Sequence, residues 1–106
     1  MFQKPVDTGS TTKLSLPQDA WMIYKFDNHE VIRLDLKPGE SIDNHTNDWR
    51  IIFYLIQGDG VLNIQGRDHQ VTTNQFIAVE SGLKRYWTNT GENILKLLVI
   101  KTQKTE

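Results

Sequence analysis

Three features of these 106 residues predict an all-β fold closed into a barrel or sandwich. Short runs rich in aromatic and β-branched residues recur along the chain. Turn signals separate them about every 8 to 12 residues. No stretch carries a long helical apolar period.

The opening residues MFQKPVDTGSTTK are polar, with Pro5, Gly9, Ser10, Thr11 and Thr12. They read as a flexible arm or as an edge strand laid on a neighbour, so the expected division is an arm over 1–15 and a barrel domain over 16–106. After Pro17, WMIYKF (21–26) and EVIRLDL (30–36) read as strands. Asp27, Asn28 and His29 form the hairpin turn between them, which leaves His29 in solvent. In the second run Ile32, Leu34 and Leu36 alternate with Val31, Arg33 and Asp35, and the first set is expected inside.

Lys37 to Glu40 make the next turn, followed by the short polar strand SIDNH and a loop at 46–48. RIIFYLI (50–56) is apolar on both faces, so both faces are expected to be covered. Gly58-Asp59-Gly60 turns into VLNIQ (61–65), with Leu62 and Ile64 inward. HQVTT, FIAVE and KRYWTN follow as short strands, and NILKLLVIKT (93–102) closes the set after a turn at 89–92.

Length sets one domain, and one small enough that a partner subunit covering more apolar surface is expected. Twelve basic and thirteen acidic residues nearly balance, and no basic block marks a phosphate-binding face. The absence of cysteine excludes disulfides and thiolate metal sites. MFQKPVDTGSTTKLSLP does not read as a secretory leader and no apolar run is long enough for a membrane helix, so a cytoplasmic protein without nucleic-acid or membrane partners is expected.

The stretch GESIDNHTNDWRIIFYLIQG (39–58) has glycine, five residues, then His45, and it closes on Gly58. ESGLKRYWTN (80–89) places Glu80, Gly82, Arg85 and Asn89 at a second recurrent spacing. This arrangement resembles the small single-domain cupins over roughly residues 30 to 100. In that family the first motif has His-x-His and a glutamate between the glycines, and the second has a proline, a glycine, a histidine and an asparagine. The resemblance implies a double-stranded β-helix, the cupin jelly-roll barrel of the RmlC-like superfamily, often paired as a homodimer. It also implies a metal site on three histidines and one glutamate. Here His45 stands at one of those positions, while Asn47, Ile51 and Arg85 stand at the others. Ile51 offers no donor, and the permanent cation of Arg85 repels a divalent ion. Neither a metal nor another cofactor is therefore expected.

Strand alternation then sets the expected interior. Asp43 and Asn47 share a face with His45, Phe53 with Ile51, and Trp87 with Arg85. A pocket of this make-up suits a small anionic or sugar-like molecule. Arg85 would hold an anionic group through two hydrogen bonds, Trp87 would stack on an apolar face, and Asn47, Ile51 and Phe53 would complete the wall. The bland readings stand beside this one. Arg85 pairs with Asp43, Asp48 or Glu80, His45 is a hydrogen-bonded core residue, and Trp87, Phe53 and Ile51 are packing. Three other functions stay open. One is a metal-independent sugar epimerase or isomerase with His45 as general base and Asp43 orienting it. Another is a metalloenzyme with a displaced ligand set drawn from His45, Asp43, Asp48, His69 and Glu80. The last is a filled barrel that works through its surface.

Overall fold

A computed structural model describes residues 2–42 and 48–103. Asp43, His45 and Asn47 lie outside the described residues, and so does most of the expected SIDNH strand. Its first residue, Ser41, makes an isolated antiparallel bridge to Thr88.

Among the described residues the chain runs through a 3-10 turn at Thr8–Ser10 and then β1 (Thr12–Lys13), β2 (Asp19–Phe26), β3 (His29–Leu36), β4 (Trp49–Gln57), β5 (Asp59–Ile64), β6 (Arg67–Thr72), β7 (Phe76–Val79), β8 (Arg85–Asn89) and β9 (Leu95–Gln103). Two antiparallel sheets result. Six strands run in the order β1-β2-β3-β9-β4-β7, and three in the order β6-β5-β8. The first and last halves of the chain are interleaved: β9 lies between β3 and β4, which leaves no seam between an early and a late subdomain. This is the all-β jelly-roll barrel expected from the sequence.

Alternation puts one face of each strand into the space between the sheets. Ile32, Leu34 and Leu36 of β3, Ile51, Phe53 and Leu55 of β4, Leu62 of β5, Trp87 of β8, and Leu95, Leu97 and Val99 of β9 form a single apolar core. Burying each such side chain contributes roughly 1.5–3 kcal/mol relative to leaving it in water. That is how a chain this short closes without disulfides.

Three local expectations differ from what is observed. Among the described residues nothing covers the outer face of β4, because Ile52 and Ile56 keep 42% and 41% of their surface exposed. Asp59 and Gly60 belong to β5 rather than to a turn, since both are paired across to β6. His29 begins β3 and is half-buried, stacked on Phe26 with ring centroids 4.9 Å apart. The arm residues Thr12 and Lys13 pair with Met22 and Trp21 of the same chain.

Candidate functional site

The site is set by two residues on β8. Arg85 and Trp87 stand two apart, so both project into the barrel, and they are 4% and 1% exposed. β8 is held in place by β5, with Ile64 opposite Arg85 and Leu62 opposite Trp87. Phe53 approaches the Trp87 ring edge-on at 5.4 Å between centroids and fixes the indole plane. The Trp87 Nε1–H is buried with no acceptor among the described residues. A buried donor in that condition costs about 1–3 kcal/mol, a cost that a ligand acceptor would remove.

Arg85 and Trp87 open onto a cavity of about 320 Å³. Its wall is largely apolar, with Leu14, Leu16, Ile32, Leu34, Phe53 and Val99 prominent. The expected site residues Phe53, Arg85 and Trp87 all line this cavity. Ile51 instead sits in the packed core, inward but not on the wall described. Asp43, His45 and Asn47 fall outside the described residues.

Lys101 is among the cavity residues that the sequence did not single out. It lies on the wall, directly across the ladder from Ile51 on one side and from Glu30 on the other. The signal for it was present in the alternation Leu95, Leu97, Val99, Lys101, which carries the inward face of β9 to its end. Desolvation holds the Lys101 pKa below its ordinary value, with Glu30 pulling it up and the Arg85 charge pushing it down. Burial likewise lowers the Arg85 guanidinium from its usual value, though an arginine in this situation stays protonated at neutral pH. Glu80, one of the acids considered for Arg85, is an exposed surface residue that instead meets Arg50 at 3.3 Å.

The segment between β1 and β2 closes over the cavity. Leu14 N–H donates to the Ala20 carbonyl at 2.8 Å, and the Gln18 side-chain amide donates to the Ser41 carbonyl at 2.8 Å. Leu14, Leu16 and Pro17 thereby become part of the wall. Behind the site, Asn89 ends β8 and ties the end of β3 to the loop between β8 and β9. Its Nδ2 donates to the carbonyls of Leu36 and Asn93 at 2.9 and 2.8 Å, and its Oδ1 accepts from Gly91 N–H at 2.9 Å.

A metal ion held at the positions implied by the sequence motifs would need donors from Ile51 and Arg85. One is a buried hydrocarbon and the other a buried cation, so this part of the donor set does not fit a divalent ion. Among the described residues no three His, Asp or Glu side chains converge on a point.

Residues 32–101 match the family model described as a cupin domain. An oxalate-binding protein of Thermotoga maritima is 29% identical over 69 residues, which cover 64% of this chain and 57% of that protein. The matched region thus spans little more than half of that relative's length. Among solved structures, a protein from Thermotoga maritima described as a predicted oxalate decarboxylase superposes with a TM-score of 0.86 at 19% identity, covering 95% of this chain and all of the other. The polyketide cyclase RemF from Streptomyces resistomycificus gives 0.83 at 16% identity, covering 97% of this chain and 81% of the other. A cupin 2 conserved barrel domain protein from Salinispora arenicola gives 0.79 at 14%, with 97% and 89% covered. At these identities the structures speak for the fold alone. No helix among the described residues is long and apolar enough to cross a membrane.

Proposed function

The chain belongs to the cupin domain family, and from that premise we propose that it binds a small anionic molecule inside its barrel without a metal ion. The observation that carries this reading is Arg85, a buried permanent cation on the wall of an apolar cavity, at the motif position where a metal-binding cupin has histidine. A guanidinium presents its N–H groups in a fork that matches a carboxylate. Lys101 adds a second cation to the same wall. The Thermotoga maritima relative, named for binding a small dicarboxylate, supports an anion over a sugar. So does the wall among the described residues, which has few polar groups to replace the hydration of several hydroxyls.

Isothermal titration of carboxylates into protein prepared with and without a chelator tests this reading. Chelator-independent binding is expected, with affinity falling at least tenfold in Arg85→Met. Binding that requires added manganese or zinc, or that survives Arg85→Met unchanged, refutes it.

The reading extends to a homodimer formed through the outer face of the larger sheet. Ile52, Ile56 and Phe76 are exposed there on the paired strands β4 and β7. Light scattering after size exclusion should give twice the chain mass for the wild type and the monomer mass for Ile52→Glu. A monomeric wild type at tens of micromolar would end the extension.

A further inference from the structure

Beyond anion binding, and without depending on it, we propose that the cavity captures carbonyl compounds, with the Lys101 amine forming an imine with an aldehyde or ketone that carries an apolar body. The placement of Lys101 comes first. β9 carries its inward face through Leu95, Leu97 and Val99 to Lys101, so the lysine stem enters the barrel and its side chain lies on the cavity wall. No other described lysine lines that cavity. One row of the ladder runs from Lys25 through Glu30 and Lys101 to Ile51. The acid in this row is already engaged, because Glu30 Oε2 meets Lys25 Nζ at 3.8 Å. Lys101 itself makes no hydrogen bond or ion pair with a described residue. Glu30 from β3 and Arg85 from β8 are the charged groups among the described residues that act on it, and β4 offers only Ile51 opposite.

A lysine attacks a carbonyl as the free amine, and these surroundings favour that form. Desolvation by burial lowers the Lys101 pKa, the Glu30 charge opposes the shift, and the Arg85 charge lowers it further. The nitrogen lone pair adds to the carbonyl carbon, and the π pair moves to oxygen, which takes a proton from nitrogen. The carbinolamine then loses its hydroxyl together with the second N–H proton as one water, and C=N remains. No oxidant or reductant is consumed. A neutral carbonyl compound is recognised through its body, and Ile32, Leu34, Phe53 and Val99 offer it hydrocarbon in a cavity of about 320 Å³. Leu14 and Leu16, from the segment that closes the cavity, shield the imine from the water that would hydrolyse it.

The test incubates the wild type with hexanal and sodium cyanoborohydride, which hands a hydride to an imine carbon and fixes it as a secondary amine. Peptide mapping by mass spectrometry then gives the labelling rate at each lysine. Lys101 should be labelled roughly tenfold faster than the exposed Lys37 and Lys84, a factor that burying two or three methylenes of the probe supplies. Unfolding in urea should abolish the preference, and glyceraldehyde, which lacks an apolar body, should show none. Lys101→Arg keeps the cation but forms no imine, so it should lose the fast adduct while labelling at the other lysines is unchanged. Labelling of Lys101 no faster than Lys37 in the folded wild type overturns the proposal, as does a preference that persists in urea. Equal preference for glyceraldehyde overturns the apolar body. The decisive comparison is among lysines of one unmodified protein, so no variant has to fold for it. Carboxylate titration reads the anion site separately, and carboxylate binding without fast labelling of Lys101 ends this inference alone.

Discussion

Replacing Asn89 with leucine should be among the most damaging single changes in the protein, although Asn89 is not on the described cavity wall. The side chain is 1% exposed and makes three hydrogen bonds, to the Leu36 and Asn93 carbonyls and from Gly91 N–H, all at 2.8 to 2.9 Å. Each contributes about 1 kcal/mol net, and the backbone groups orphaned in the interior cost about 1–3 kcal/mol apiece if nothing replaces their partner. Allowing for water reaching some of them, a loss of about 3–5 kcal/mol follows, a large share of the roughly 5–15 kcal/mol that holds a domain together. At about 4–8 °C per kcal/mol for a domain near this size, the melting temperature should fall by roughly 12–40 °C. Thermal and urea unfolding followed by circular dichroism read it, with an unchanged urea slope marking a pure stability effect.

Asn89→Asp separates the hydrogen-bond account from simple packing. The introduced carboxylate still accepts from Gly91 N–H but faces two carbonyl oxygens, so its folded pKa must rise above the unfolded value of about 3.9. The folded state then holds the extra proton between those two values, so stability falls as pH rises through the window and recovers on acidification relative to wild type. If Asn89→Leu loses less than about 1 kcal/mol, or Asn89→Asp shows no recovery in acid, the assignment of Asn89 as the clamp of these loops is wrong.

Two further outcomes rest on separate observations. In Gly60→Ala the new Cβ would stand 2.6 Å from Leu95 Cδ2 and 3.3 Å from both Thr88 O and Trp87 Cε3, and Leu95 is itself fully buried. A loss of about 1–3 kcal/mol with a change in indole fluorescence is expected, and wild-type stability would refute it. Lys101, desolvated by burial and set between the attraction of Glu30 and the repulsion of Arg85, has its folded pKa below the ordinary lysine value. Between those two values the unfolded chain holds the proton that the folded chain has released, so stability rises with pH there relative to Lys101→Met. Carboxylate binding should weaken over the same window, and titrations across alkaline pH that show neither trend would remove Lys101 from the site.

Much of the interior was legible because a strand has a period of two. Ile32, Leu34 and Leu36, the pair Arg85 and Trp87, and the run Ile51, Phe53 and Leu55 all face inward as alternation requires. What escaped did so for physical reasons. Lys101 continues the inward face of β9, but a lysine at a strand end reads as solvent-facing because lysine is so seldom buried. Leu14 and Leu16 sit in a segment whose composition suggests an arm, and only the hydrogen bonds from Leu14 to Ala20 and from Gln18 to Ser41 bring it over the cavity. The apolar outer face of β4 implied a cover that no element among the described residues supplies, since composition reports that a surface is apolar but not what lies on it. Ile51 was placed inward correctly, yet a core position and a cavity wall look alike at the level of residue type.

The two sequence motifs can keep their frame and lose their ligands because the two kinds of position answer to different physics. Gly39 and Gly58 have φ of +81° and +98°, a region that side chains disfavour. A Cβ on Gly58 would also lie 3.0 Å from the Ile94 carbonyl oxygen and 3.1 Å from Leu95 Cα. Asn89 satisfies backbone groups of loops that must turn whether or not an ion is bound. These residues are demanded by the closure of the barrel. The ligand positions carry no such demand: an isoleucine at 51 improves the core, and an arginine at 85 is tolerable where its charge has a use. A motif match that rests on turn glycines and a loop-clamping asparagine therefore identifies a barrel and says little about its chemistry. The chemistry turns on what stands at the metal-binding positions, and two of them here are a buried isoleucine and a buried arginine.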